Sequence, residues 1–277
     1  MRFRKVYIEI SNLCNLRCSF CPGTKRPGRR MNTEEFALLM GKLRPFTDYV
    51  YFHLMGEPLC HPELSAFLEI AGQHGFRVII TTNGTLLPKQ QSILLSAPAL
   101  HKVNISLHAF EANDLTVPFE TYLQDCLRFG QTANGEKLVV YRLWNQGGAD
   151  ELNQKILETM HRYFPQDWVQ ERLGIRIGNR VYLEHGDKFD WPDLAAPETD
   201  GPQFCYGLRD QIGVLCDGTV VPCCLDHEGD IALGNLFRED LEEILQQPRA
   251  QAIYNGFSNR EAIEDLCRRC GYARRFG

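Results

Sequence analysis

The chain has 277 residues, 44 % of them hydrophobic and 23 % charged, with 30 Lys and Arg against 35 Asp and Glu for a net charge of −5. That size and apolar content suit one large domain, or one large and one small, with a sizeable buried core, and the acidic balance argues against a primary nucleic-acid binder. No apolar run approaches the ~20 residues of a membrane helix, and the segment Met1-Arg2-Phe3-Arg4-Lys5 passes directly into strand-like alternation without a signal-peptide core, so a cytoplasmic protein is expected.

Strand and helix patterns alternate over the first ~185 residues, as βα units do. Residues 6–10 read as a strand. Asn32-Thr33-Glu34-Glu35 is a capping box that opens a helix to about residue 44. A second strand is predicted over 48–54 and a helix from Pro62 to about residue 74, ended by Gly75. Residues 76–82 form the third strand, closed by Asn83-Gly84, and Pro88 and Pro98 bracket the next helix. Strands at 103–107 and 138–143 and helices at 121–129 and 150–163 continue the pattern. Residues 174–184 form a sixth strand, with a possible hairpin at Gly178-Asn179. The fold class expected is α/β, a partial (βα)6 TIM-like barrel, whose active residues sit at the C-terminal ends of the strands. Residues 187–202 hold three prolines and several acidic residues and read as a linker. The division drawn is 1–190 for the barrel and 191–277 for a small cysteine-rich module.

Eleven cysteines are many for a reducing compartment, where metal binding or catalysis explains them better than disulfides do. Three lie in the run Cys14-Asn15-Leu16-Arg17-Cys18-Ser19-Phe20-Cys21, spaced C-x3-C-x2-C just past strand one. Three thiolates can hold three irons of a four-iron cubane, and full protein ligation would need a fourth. The next cysteine in sequence is Cys60, beyond a predicted helix and strand, so one iron is left open for a small ligand. A zinc or structural cluster site is the bland alternative, but zinc wants four ligands, usually as two separated pairs. Cys60 and Cys126 stand alone and read as small core hydrophobes.

The C-x3-C-x2-C loop, with Phe20 before its third cysteine and Gly56-Glu57-Pro58 after strand two, closely resembles the radical S-adenosylmethionine (SAM) superfamily. The resemblance implies that Cys14, Cys18 and Cys21 hold a [4Fe-4S] cluster whose open iron binds the amino and carboxylate groups of SAM. It implies that Phe20, Gly56, Glu57, Pro58, Asn83, Ser106 and Arg142 form the cofactor pocket. Gly56-Glu57-Pro58 gives backbone contacts to the methionine amino group, and Ser106 meets the methionine or ribose. Arg142 suits the methionine carboxylate, because guanidinium binds carboxylate bidentately. Each assignment competes with plain barrel packing, and Asn83 with a simple turn role before Gly84. Glu9 reads best as a paired structural carboxylate low in the barrel. His53 and His108, at strand ends, are the candidate proton acceptors, against the commoner role of a satisfied core histidine. The run Lys25-Arg26-Pro27-Gly28-Arg29-Arg30 reads first as a solvated loop and second as a greeting for an anionic substrate.

Six further cysteines fall between Cys205 and Cys270. Cys205, Gly218, Cys223 and the pair Cys267 and Cys270 resemble the auxiliary-cluster module called twitch, a shortened relative of the SPASM domain. That implies one auxiliary [4Fe-4S] cluster held by Cys205, Cys223, Cys267 and Cys270. Cys224 abuts Cys223 and should face the other way; Cys216 in place of Cys205 is the alternative ligand, and a zinc ribbon the bland reading of the whole module.

By this resemblance the protein is an oxidoreductase with two [4Fe-4S] clusters and SAM, fed by a flavodoxin or ferredoxin. It cleaves SAM reductively to a 5′-deoxyadenosyl radical, which abstracts a substrate hydrogen in a two-electron oxidation. The expected substrate is a small molecule, as in the aminocyclitol dehydrogenase type of butirosin biosynthesis. The alternative is peptide or protein modification of the sulfatase-maturase or peptide-crosslinking type, which usually brings a full SPASM domain or a preceding peptide-recognition domain. RNA modification and a non-catalytic cluster carrier fit less well.

Overall fold

Val and Ile alternate with larger side chains in β1 (Lys5–Ile8), so both faces of this strand are covered. A computed structural model describes residues 2–133, 135–199, 201 and 203–276. After β1 come α1 (Thr33–Leu43), β2 (Tyr49–Phe52), α2 (Leu64–Gln73), β3 (Arg77–Thr82), α3 (Leu87–Ser96), β4 (Leu100–Ser106), α4 (Phe119–Ala133), β5 (Leu138–Gln146) and α5 (Asn153–Tyr163). The capping box at the start of α1 is present: Asn32 Oδ1 accepts from the Glu35 amide at 2.8 Å, and Glu35 Oε2 accepts from the Asn32 amide at 3.0 Å. The helices cover the outer face of the sheet, where Phe36 of α1 stacks on Phe67 of α2 with ring centroids 4.4 Å apart.

The sixth predicted strand is an antiparallel meander, β6 (Val169–Glu171), β7 (Gly174–Gly178) and β8 (Val181–Asp187). Its tight turn falls at Asn179-Arg180, where Arg180 has φ +58°, one position beyond the predicted hairpin. β8 then pairs parallel with β5 and completes a run of six parallel strands, β1-β2-β3-β4-β5-β8.

Residues 188–199 contain no regular structure. β9 (Gln211–Val214) follows and pairs parallel with β1, Tyr7 opposite Gly213. β10 (Thr219–Val221) and β11 (Gly234–Asn235) extend the same sheet antiparallel. The eleven strands form one sheet in the order β11-β10-β9-β1-β2-β3-β4-β5-β8-β7-β6, an open, incomplete barrel. Helices α6 (Leu241–Gln246), α7 (Pro248–Ser258) and α8 (Asp265–Arg268) complete the C-terminal part. One apolar core runs from Val6 and Phe52 through to Leu236, Ile244 and Phe257. No described helix is long and apolar enough to cross a membrane.

Candidate active site

The three-cysteine loop leaves the C-terminal end of β1 with Cys14 and Cys21 exposed and Cys18 half-buried. Short polar contacts set its path: Asn12 Oδ1 accepts from the Arg29 amide at 2.7 Å, Asn12 Nδ2 donates to the Pro27 carbonyl at 2.9 Å, and the Leu13 amide donates to Ser11 Oγ. Gly56 presses on this loop from below. Its φ is +77°, and a Cβ there would lie 2.2 Å from the Ser11 carbonyl oxygen and 2.9 Å from that of Leu13. The Glu57 amide donates to the Leu13 carbonyl at 3.0 Å. The buried Glu57 carboxylate accepts from the amides of Leu59 (3.0 Å) and Asn83 (2.8 Å), and burial pushes its pKa up to about 7. Asn83 Nδ2 in turn donates to Asn15 Oδ1 at 2.9 Å. The side chains of Glu57 and Asn83 therefore brace the cysteine loop rather than line the barrel cavity. Pro58 starts a short 3-10 turn that carries Cys60.

Gly56→Ala is expected to cost at least about 2 kcal/mol, from the left-handed backbone alone, and to reduce iron uptake by the loop. Thermal unfolding and iron content after anaerobic reconstitution measure both; wild-type values would contradict the close approach.

Two sulfurs of the loop receive N–H donors, as thiolate ligands want: Asn113 Nδ2 lies 3.1 Å from Cys18 Sγ, and the Leu16 amide 3.4 Å from Cys14 Sγ. Asn113 also accepts from the Arg17 amide at 2.9 Å. Nothing local in the sequence marks Asn113, which lies in the irregular stretch after β4. The distance along the chain from Cys21 to Cys60 does not persist in space. Cys60 sits beside the backbone of Asn15, one residue from Cys14, and its charge raises the Cys14 thiol, because the Gly56–Pro58 turn packs directly on the cysteine loop.

Below the loop, alternate residues of the parallel strands face a cavity of about 460 Å³. Tyr7, Tyr51, His53, Thr81, Asn104, Ser106, Arg142 and Trp144 line it, and Phe20 and His108 border it. Phe20 packs on the His108 ring at 5.1 Å. Arg142 lies 4.5 Å over the Trp144 ring, and its Nε donates to Glu184 Oε2 at 3.0 Å. It thus faces the cavity already paired by one edge of its fork. Lys102 lies 3.8 Å from the same carboxylate. His108 Nδ1 is 3.0 Å from the Arg142 carbonyl, which takes its proton and leaves Nε2 as the acceptor nitrogen.

Burial, with Arg142 and Lys5 adding to it, lowers His53 to about 3. Burial lowers His108 to about 4, opposed by the bond to the Arg142 carbonyl. Both rings are neutral at pH 7. In the unfolded chain a histidine takes a proton near about pH 6.5. Between that value and the depressed native values the unfolded state binds more protons. Their contribution to stability is therefore complete above about pH 6.5 and is lost as pH falls toward 4 and below. The unfolding temperature is expected to drop on acidification below about pH 6.5, and to drop less steeply in His53→Gln. Identical slopes in the two proteins would contradict a buried neutral His53.

The second cysteine set meets the same cavity. Cys205 precedes β9 and Cys223 follows β10, while α8 and the turn after it carry Cys267 and Cys270; all four line the cavity. Gly218, with φ +86°, makes the β9–β10 turn, and a Cβ there would stand 2.7 Å from the Phe237 ring. Burial raises the Cys223 thiol well above its usual value, and Cys224, Cys205, Cys267 and Cys270 raise it further. The Gly207 amide lies 3.4 Å from Cys205 Sγ. Five thiols, those of Cys205, Cys223, Cys224, Cys267 and Cys270, line one cavity, and an N–H on the Cys205 sulfur suits a thiolate ligand of an iron–sulfur centre. Cys224 also lines this cavity, contrary to the expectation that it faces the other way, with its thiol against Tyr7. Cys216 lies elsewhere, beside Glu9 and Arg26, so its substitution for Cys205 has no geometric support.

The basic run is not a solvated loop throughout, which corrects that expectation. Arg26 makes a bidentate pair with the fully buried Glu9, Nη2 to Oε1 at 2.6 Å and Nη1 to Oε2 at 2.9 Å, and its Nε donates to the His227 carbonyl at 2.8 Å. Arg29 pairs with Glu35. Glu9 is the paired structural carboxylate expected, but it lies past the C-terminal end of β1, not low in the barrel, and also accepts from the Cys216 amide at 3.0 Å. This pair joins the cysteine loop to the C-terminal module.

Comparison with known proteins bears on both halves. The radical SAM superfamily pattern matches residues 8–135, and the iron–sulfur cluster-binding domain SPASM matches residues 205–271. Residues 8–135 thus carry a radical SAM domain and residues 205–271 a SPASM-type iron–sulfur cluster-binding domain. It is 31 % identical over 110 residues to the Fe-coproporphyrin III synthase of Methanosarcina barkeri, covering 38 % of this chain and 28 % of that protein. It is 27 % identical over 114 residues to the S-adenosyl-L-methionine-dependent 2-deoxy-scyllo-inosamine dehydrogenase of Niallia circulans, covering 39 % of this chain and 46 % of that one. The matched segments thus span less than half the length of these relatives. The fold matches the crystal structure of BtrN in complex with AdoMet and 2-DOIA, with a TM-score of 0.63, 18 % identity and coverage of 98 % of this chain and 94 % of that one.

Proposed function

We propose that this chain is a radical SAM oxidoreductase that oxidises a small molecule by two electrons, with one auxiliary [4Fe-4S] cluster as electron acceptor. In this reading residues 1–190 form the barrel, and Cys14, Cys18 and Cys21 hold the first cluster. Phe20, Ser106, Arg142 and the backbone of Gly56, Glu57 and Pro58 seat SAM, while Asn83 braces the cysteine loop. Cys205, Cys223, Cys267 and Cys270 in the module 191–277 hold the second cluster. When bound, the first cluster and SAM supply a 5′-deoxyadenosyl radical that removes a hydrogen atom from an unactivated carbon.

The chain's own contribution is position and shielding. Glu184 holds one edge of Arg142, so the free edge keeps a fixed aim at a carboxylate. Phe20, Tyr7, Tyr51 and Trp144 keep water from the lumen. His108 Nε2, its partner nitrogen tied to the Arg142 carbonyl, can take a hydroxyl proton as the carbon is oxidised; His53 is the second candidate. A low-potential flavodoxin or ferredoxin is the proposed electron donor.

The observation that carries the reading is one continuous cavity touching both Ser106, Arg142 and His108 and the four module cysteines. Its 460 Å³ is in the range of small-molecule sites, and the dehydrogenase relative supports the same substrate class. The alternative, peptide modification, draws on the shared fold of SuiB bound to the precursor peptide SuiA and of anSMEcpe with bound AdoMet and a peptide. Anaerobically reconstituted protein given SAM and dithionite is expected to release 5′-deoxyadenosine. No release would end the enzyme reading. Turnover with a peptide and not with cyclitols would select the alternative.

A further inference from the structure

Asn104 is 1 % exposed, yet it lines the barrel cavity, and its Oδ1 has no hydrogen-bond partner among the described residues. A buried amide oxygen without a partner costs roughly 1–3 kcal/mol, so its persistence in a mostly apolar lumen calls for a ligand. Thr81 holds one end of the amide, and in either orientation the other end is left without a partner. Asn104 Nδ2 donates to Thr81 Oγ1 at 3.2 Å, and Thr81 sits directly opposite it in the β3–β4 register. Accepting that bond leaves the Thr81 hydroxyl proton available, and Thr81 also lines the cavity. The pair therefore offers one acceptor and one donor side by side.

Their depth gives the pair its meaning. Asn104 is two residues before Ser106 on β4, about 7 Å nearer the strand's start. Ser106 stands opposite Arg142 on β5. Whatever bonds to Asn104 and Thr81 lies one side-chain layer beneath the group held by Ser106 and Arg142.

We infer that Asn104 and Thr81 form the subsite that anchors the substrate, and that it reads a hydroxyl group of a neutral, hydroxyl-bearing ring. A hydroxyl donates to Asn104 Oδ1 and accepts from Thr81 Oγ1, using both groups at once. Both anchors are uncharged, so they give no reward to a carboxylate or phosphate. Tyr51 of β2 and Trp144 of β5 add apolar surface to the cavity for the C–H groups of a ring. This deepens the small-molecule reading above and rests on it.

The test is binding, read by saturation-transfer NMR and calorimetry on the reconstituted wild-type protein, Asn104→Leu and Thr81→Val. The probes are scyllo-inositol, an uncharged cyclitol, and a short serine-containing peptide amide. Iron content and unfolding temperature serve as folding controls. The expected result is cyclitol binding weakened about tenfold in Asn104→Leu and about threefold or more in Thr81→Val, with peptide binding weak in all three. Equal cyclitol affinity in wild type and Asn104→Leu would overturn the subsite, as would no cyclitol binding by the wild type. Peptide binding that depends on Asn104 would overturn the ring assignment. Failure of the broader enzyme reading is separate: it would appear as no 5′-deoxyadenosine from the wild-type protein, whatever the binding data.

Discussion

The variant with Cys14, Cys18 and Cys21 all replaced by alanine is expected to keep about four of the roughly eight irons expected of the reconstituted protein, and to release no 5′-deoxyadenosine. The two cysteine sets are held by separate parts of the chain. The first is a loop braced by Gly56, Glu57 and Asn83. The second spans the β9–β10 hairpin and α8. Removing the first set's sulfurs leaves the cavity around Cys205, Cys223, Cys267 and Cys270 intact. The reciprocal variant, with the four module cysteines replaced by alanine, should keep SAM cleavage and lose net substrate oxidation. Iron and sulfide analysis with product chromatography reads both. Loss of all iron from the first variant would mean that the two sets depend on one another.

Arg26→Leu is expected to destabilise the protein by about 3–5 kcal/mol, because it strands the Glu9 carboxylate, which has no exposed side-chain surface. The double variant Glu9→Leu with Arg26→Leu should recover most of that loss, since an apolar pair in a buried site carries no unpaired charge. The Cys216 amide, which donates to Glu9, would lose its acceptor in the double variant and set the remaining deficit. Denaturant unfolding of the wild type, Arg26→Leu, Glu9→Leu and the double variant closes the cycle. If Arg26→Leu unfolds at the wild-type midpoint, the pair does not join the cysteine loop to the C-terminal module.

Much of this architecture is written in local pattern. Strand alternation, the Asn32–Glu35 capping box, Gly75 ending α2 and the motifs at successive strand ends each follow from short-range rules, and each element appears within a few residues of its expected place. What the sequence conceals is non-local. Nothing in residues 211–214 announces a parallel partner for β1 two hundred residues earlier. Nothing marks Cys60 as a neighbour of Cys14, because that proximity comes from the Gly56 turn folding back on the loop. Arg26 reads as one charge in a basic run, and only its contact with Glu9 separates it from its solvated neighbours. Asn113, which donates to Cys18, sits in irregular chain where no periodicity exists to be read. The lumen follows the period of two that fixes the strands, since Lys102, Asn104 and Ser106 face inward on alternate positions. Its partner choices, Glu184 for Arg142 and Thr81 for Asn104, appear only once neighbouring strands are in register.

Cys60 beside Cys14 also defines the sharpest rival to the proposed chemistry, since a fourth thiol could close the first cluster against SAM. The decisive measurement is electron paramagnetic resonance of the reduced protein lacking the four module cysteines, with and without SAM. A change in the cluster signal on adding SAM, the same in a Cys60→Ala background, is the expected result. A signal that SAM leaves untouched, or that responds only after Cys60 is removed, would contradict an open iron.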